Sequence, residues 1–306
     1  MMPPLWLQKL DAFSKVAVAI FLEAAPFLLL GALISAVMSV YVDPARLARL
    51  IPRNRFLHAF IGVGAGMVLP ICECGSVPVA RRLMEKGVPP QLALTYMLAA
   101  PVINPLVLAS TYIAFRGDLS FVLLRVVLVA LPALILGYAF AGKEILSEND
   151  VQPEHCGCAD SGHTCVGHGA KGFSAFPAVL EIGAQEFLYM GKFLIFGCMA
   201  AAFFKVYLPW ELLRLFETNL FTAVALMMFL AVLLSVCSEA DAFVAASFVS
   251  FPVAAQLSFV ALGPMVDLKL IGMYYAVFRT KAATALILVP VILIYPLSIA
   301  VGIFMR

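Results

Sequence analysis

An all-α integral membrane protein, built from two homologous repeats of four apolar segments each, is the fold that the sequence predicts, and three observations predict it. Of the 306 residues, 63% are hydrophobic and only 12% charged. Stretches without Asp, Glu, Lys or Arg, at 88–115, 220–238, 242–266 and 282–305, exceed the roughly 18 residues that mark a transmembrane helix. The chain also matches itself when shifted by 163 residues: Glu23 falls on Glu186, Cys74 on Cys237, Pro89 on Pro252, Pro101 on Pro264 and Asn104 on Asp267. Matches at Leu, Ala or Val are cheap between apolar sequences, whereas these fall on rare residues in one register.

The first membrane repeat occupies residues 1–141, with apolar segments near 12–42, 56–80, 89–115 and 119–141. A polar loop rich in His and Cys follows at 142–170. The second repeat, 171–306, has segments near 183–208, 219–247, 252–279 and 282–305. The opening MMPPLWLQKL lacks the basic start, short apolar core and small-residue cleavage site of a removable signal, so the first helix is expected to do the targeting. A formal charge of +2 is too small to suggest a nucleic-acid partner, and the bilayer is the expected one.

Interruptions fall at matching places. They are 70–78, within LPICECGSVP, and PVINP at 101–105 in the first repeat; SVCSEAD at 235–241 and GPMVDLK at 263–269 answer them in the second. Proline removes a backbone donor and frees carbonyls that lipid cannot satisfy, so such backbone survives only against protein or a wet cavity. Two matched pairs of breaks predict discontinuous or re-entrant helices meeting at the membrane midplane, where transporters of this construction bind substrate. Treating 56–80 and 219–247 as hairpins gathers eleven basic residues on one face, among them Arg46, Arg49, Arg53, Arg81, Arg82 and Lys86. The positive-inside rule then puts the central loop in the cytosol. Making 89–115 re-entrant as well scores equally and puts it outside, so the side stays open.

The central loop EHCGCADSGHTCVGHG places His155, Cys156, Cys158, His163, Cys165 and His168 within fourteen residues. Imidazole and thiolate suit Zn(II) and Cu(I), and the intervening glycines let the backbone wrap an ion. The Cys156-Gly-Cys158 spacing is not that of a zinc finger, which predicts an exchangeable capturing loop. A disulfide or a passive linker are its rivals.

Within the membrane, Cys72 and Cys74 flank Glu73. A buried carboxylate requires a cavity, a partner or a cation, and two thiols beside it make a soft-metal group. The second repeat answers with Cys237, Glu239 and Asp241, and the pair Asn104 and Asp267 adds an oxygen from each half. Lys269 is expected to pair with Asp267 when the site is empty. Less is expected of the rest: Cys198 as inert packing, Arg125 snorkelling, His58 at the surface, and Glu23 and Glu186 as solvated helix carboxylates. GVGAG at 62–66 lacks the Lys-Ser/Thr of a phosphate loop and reads as a close helix contact. No Walker motif occurs, and neither an enzyme nor a prosthetic group is expected.

The stretch CECGSVPVARRLMEKGVPPQLALTYMLAAPVINPLVLAS, beginning at Cys72, closely resembles the signature of the bacterial predicted-permease family that includes the organoarsenical efflux permease ArsP. The loop HCGCADSGHTC is similar to that of a branch described as Cu/Zn efflux transporters. The resemblance implicates Cys72, Cys74, Pro78 and Cys237 in handling a thiophilic substrate. The combined expectation is a multi-pass inner-membrane permease exporting copper or zinc, with proton exchange as the coupling. Its rivals are arsenite or organoarsenical efflux through the same thiols, and a membrane metal-binding or sensor protein that moves nothing.

Overall fold

The computed structural model describes residues 5–41, 55–68, 71–147, 176–207 and 219–304. Among them the protein is all-helical, with no strand beyond one isolated bridge between Leu146 and Phe278. Four helices are long and apolar enough to cross a membrane: α1 (Leu5–Tyr41), α6 (Leu119–Ala139), α7 (Phe176–Tyr207) and α12 (Thr280–Phe304). Between α1 and α6 lie α2 (Arg55–Val68), α3 (Glu73–Glu85), α4 (Pro90–Ala99) and α5 (Pro105–Ala114). Between α7 and α12 lie α8 (Leu220–Leu234), α9 (Asp241–Ser247), α10 (Val253–Leu262) and α11 (Leu268–Val277). These short helices have 7 to 15 residues. At 1.5 Å per residue they reach about 10–22 Å, short of a hydrocarbon core of about 30 Å.

The apolar segments expected from the sequence all appear, and the breaks fall close to where proline and glycine place them. The first is narrower than expected: α3 resumes at Glu73, and Pro78 lies inside it. Without an N–H, Pro78 cannot serve the Cys74 carbonyl one turn earlier. Helices α4 and α10 have 10 residues each, as do α5 and α11. Val253 follows Pro90, and Leu268 follows Pro105, by the same 163 residues that align the sequence.

The short helices α4 and α10 are the most deeply buried, whereas α2 and α5 keep exposed apolar faces, as the long helices do. Every residue from 91 to 99 of α4 and from 254 to 262 of α10 is buried. Along α1, Ile20, Ala24, Leu28, Ala32 and Ala36 point inward at every fourth position, while Val18, Leu22, Leu29 and Leu30 face outward. An apolar outer face is what lipid demands and water would not tolerate. Helices α1 and α7 pack along their length. Ala17 and Phe21 share a cleft with Ile195 and Met199, whereas Gly183 faces Leu33 and Ala36, so the two run antiparallel. After α6 the chain returns to the amino end of α12: the Ser147 amide donates to the Val277 carbonyl at 3.1 Å, and the Arg279 amide to Ile145 at 2.9 Å.

Small residues set the closest approaches. A methyl group on Gly31 would stand 2.5 Å from the Gly75 Cα, which fixes where α1 crosses α3. In the GVGAG stretch, Gly62 abuts Leu92 of α4 and Gly66 abuts Ala100, the residue that caps the end of α4, as close helix packing in lipid requires. Neither α2 nor α3 lies chiefly along the other. Helix α2 packs on α4 and α6, and α3 on α1, α4 and, across the halves, α11.

Candidate functional site

Each break opens its second helix from exposed backbone groups. The Cys72 carbonyl accepts from the Gly75 and Ser76 amides at 3.2 and 3.0 Å, and the Cys237 carbonyl from Ala240 and Asp241 at 2.9 Å each. Helix α5 is capped by the Asn104 side chain, which accepts from the Leu106 amide at 3.0 Å, and α11 by Asp267, which accepts from the Leu270 amide at 2.7 Å. Ser235 ends α8 in the left-handed region, at φ +45°. That conformation costs about 1–3 kcal/mol for a residue with a Cβ. Its hydroxyl accepts from the Leu268 amide at 3.2 Å, which ties the end of α8 to the start of α11.

Where α3 meets α11, Lys269 becomes the centre of a buried cluster. Lys269 and Asp267 are 0% exposed and Glu73 1%. The Lys269 ammonium stands 3.5 Å from Glu73 Oε1 and 3.3 Å from Asp267 Oδ2. Neither contact has hydrogen-bond geometry, and all three atoms lack another hydrogen-bond partner. The other Glu73 oxygen accepts from the Ser238 hydroxyl at 3.1 Å. Cys72 and Cys74, which flank Glu73 in the chain, and Cys237, which precedes Ser238, are buried as well. Elements of both halves thus contribute to one site. Its donors do not yet close on a common point: among the described residues, no three His, Cys, Asp or Glu side chains stand close enough to hold a metal ion.

A second buried pair lies where α9 meets α5 and α6. The Arg125 guanidinium donates to Asp241 Oδ2 and to Thr111 Oγ1, both at 2.6 Å. Arg125 is 0% exposed. A charge-assisted bond this short is a firm strut.

Of the residues expected in the site, Glu73 and Asp267 meet at Lys269; Cys72 and Cys74 flank Glu73 in the chain, Cys237 precedes its partner Ser238, and Glu239 is half-buried two residues further on. The Asp267–Lys269 pair is present, joined by Glu73 from the other half. Asp241 is committed to Arg125, and the Asn104 oxygen to its cap. Pro78 is buried within α3. Three expectations are corrected. Arg125 does not snorkel, because Asp241 and Thr111 satisfy it inside. Cys198 is buried in the apolar core, as expected of a packing residue, and its neighbour Gly197 lets α7 rest directly on Lys269: a methyl there would meet Lys269 Cα at 2.8 Å. His58 is buried, its Nδ1 3.2 Å from Gln91 Oε1. Glu186 accepts from the Ser35 hydroxyl at 2.7 Å and is buried as well. The loop ligands His155, Cys156, Cys158, His163, Cys165 and His168, and Arg46, Arg49 and Arg53, lie outside the described residues.

Ser238, whose hydroxyl donates to Glu73, was the partner missed.

Four long apolar helices among the described residues, with charged residues buried between helices, mark a multi-pass membrane protein. The chain belongs to the ArsP_1 family, described as a predicted permease, whose family model matches residues 9–303. It is similar to UPF0718 protein YcgR of Bacillus subtilis (strain 168), with 36% identity over 293 residues, 94% of this chain and 96% of that one. It is equally similar to the "Putative two-component membrane permease complex subunit" of Streptococcus mutans, with 36% identity over 269 residues and 87% of each chain. No solved structure matches it.

Proposed function

We propose that this permease exports a thiophilic metal ion, copper or zinc, by exchange with protons across the bacterial inner membrane. The observation that supports the reading is that Glu73 from one half and Asp267 and Lys269 from the other meet in one buried cluster, with the buried Cys72 and Cys74 flanking Glu73 in the chain and Cys237 preceding its partner Ser238. Thiolate donors select soft ions, and carboxylates that alternate between proton and metal supply a route for exchange. The loop at 142–170 gathers the ion, and Cys72, Glu73, Cys74, Cys237, Glu239 and Asp267 pass it through the membrane.

The two halves, 1–141 and 171–306, act as inverted repeats on this reading. The antiparallel run of α1 against α7, and the return of the chain from α6 to the start of α12, support it. Alternating access then amounts to rocking one half against the other around the shared site.

Proteoliposomes loaded with Cu(I) or Zn(II) test the proposal. Cys74→Ser is expected to abolish flux, whereas replacing the six loop ligands by Ser or Ala weakens capture at low concentration and leaves maximal flux largely intact. No flux of either ion, with or without a proton gradient, overturns it; so does full flux through Cys74→Ser.

One observation favours a second reading. Lys269 already neutralises one carboxylate, and the sulfurs are the remaining soft donors, which suits a neutral trivalent arsenical. The same proteoliposomes supplied with arsenite or phenylarsine oxide separate the two. The relative named as a complex subunit adds a partner chain to what purification should look for.

A further inference from the structure

Two charged side chains stand on the outer surface midway along the two longest helices. Glu23 is the middle residue of the 37-residue α1, and Lys192 lies at the middle of the 32-residue α7. At 1.5 Å per residue each is about 22 Å or more from either end of its helix, too far for its side chain to snorkel past the end. Both are exposed. Exposed apolar side chains precede and follow each of them: Val18 and Leu22, then Leu29 and Leu30, around Glu23; Leu188, then Ile195 and Phe196, around Lys192. Among the described residues no ion pair or hydrogen bond satisfies the Glu23 carboxylate, and Lys192 meets only the rings of Tyr189 and Phe193, at 4.1 and 5.0 Å. Ring faces offset part of the cost of an ammonium in lipid. A carboxylate facing lipid tails has no such relief, and charges at this depth are expensive unless paired.

The two charges are level with one another. Lys9 Nζ lies over the Tyr207 ring at 5.2 Å, Ala17 and Phe21 share a cleft with Ile195 and Met199, and Gly183 faces Leu33 and Ala36. That antiparallel register sets Glu23 opposite Phe193, within one residue of Lys192, or about 1.5 Å of depth. They also share one surface. Val18 lines the α1–α7 cleft and a neighbouring shallow one with Ala19 and Leu22, and Glu23 follows directly on these. Lys192 lies on the α7 stripe that continues into Ile195 and Met199. Within the chain, Lys205 is the rival partner for Glu23, but the same register sets it opposite Asp11, about 18 Å along the axis.

We propose that this outer face of α1 and α7 binds a second copy of the chain, with Glu23 of each copy paired to Lys192 of the other. All copies insert with one orientation, so a two-fold axis along the membrane normal relates them and leaves every residue at its own depth. In such an interface a contact from one residue to another is repeated in reverse. An acid and a base at equal depth on one face meet that requirement twice over, and the apolar surface between them supplies the packing. The dimer is independent of what the cluster at Lys269 carries, so it stands or falls apart from the transport reading.

The experiment measures energy transfer between donor- and acceptor-tagged full chains in liposomes at a series of protein-to-lipid ratios. The wild type is expected to associate as a dimer, and a monomer at every ratio overturns the proposal. Glu23→Lys and Lys192→Glu each oppose like charges across the axis, and each should weaken self-association by about tenfold or more. Mixed with one another, the two variants regain both opposite-charge contacts and should associate as the wild type does. That rescue between chains is a result no structural defect within one chain produces. Unaltered self-association of the single variants overturns the proposal, and so does a mixture no tighter than either variant alone. Where the single variants are not recovered folded, cross-linking decides. With the loop cysteines replaced by serine, Leu22→Cys, beside Glu23 on this face, should form a disulfide-linked dimer in membranes. Ile292→Cys, on the exposed side of α12, should not. Equal cross-linking at the two positions, or none at Leu22→Cys, overturns the proposal.

Discussion

Arg125 and Asp241 come from positions 116 residues apart and meet at 2.6 Å without access to solvent. Removing one partner strands the other charge inside, so Asp241→Asn is expected to cost about 3–5 kcal/mol, read as a lower melting temperature in detergent. Asp241→Leu with Arg125→Met, which removes both charges, should recover most of the loss. A double variant no more stable than the single would show that the pair does more than balance charge. At this scale the sequence was legible where a residue type is informative alone. Cys74 and Cys237 stand out by chemistry and register, and Asp267 by its neighbour Lys269. Arg125 and Glu186 were not legible, because nothing local to either announces a partner on a distant helix. Ser238 was hidden for the same reason.

Helix contacts depend on where backbones touch, and the glycines of α2 separate that from propensity. Gly66 faces the Ala100 Cα, where a methyl would come within 2.7 Å, whereas Gly64 has open space around its Cα. Gly64→Ala is therefore expected to leave the melting temperature unchanged or raise it, by up to about 1 kcal/mol of helix propensity. Gly66→Ala should lower it by forcing α2 away from α4. Equal effects at both positions would refute the packing role. Breaks and boundaries were the most legible elements, because proline and glycine mark them directly. The resumption of α3 at Glu73 was less so: a proline six residues into a helix looks, in sequence, like the end of one.

Across the whole molecule, the matched helix lengths and the antiparallel α1 and α7 carry the proposal of inverted repeats. Lys86 and Val249 occupy corresponding connections in the two halves, 163 residues apart. With the loop cysteines replaced by serine, Lys86→Cys and Val249→Cys should react with an impermeant maleimide from opposite faces of sealed vesicles. Labelling from the same face would mean parallel repeats. The orientation of the whole was not legible, since the count of basic residues depends on which segments turn back, a question of three-dimensional packing.

The pairing of α1 with α7 also bears on how the protein is made. Tyr41 ends α1 and Phe176 begins α7, and at ribosomal speeds of about 5–20 residues per second roughly 7 to 27 seconds separate their synthesis. Throughout that interval the nascent α1 sits in the bilayer with Ser35 deprived of Glu186 and its alanine stripe bare. Biogenesis thus passes through a stage at which α1 lacks the helix it packs against most extensively.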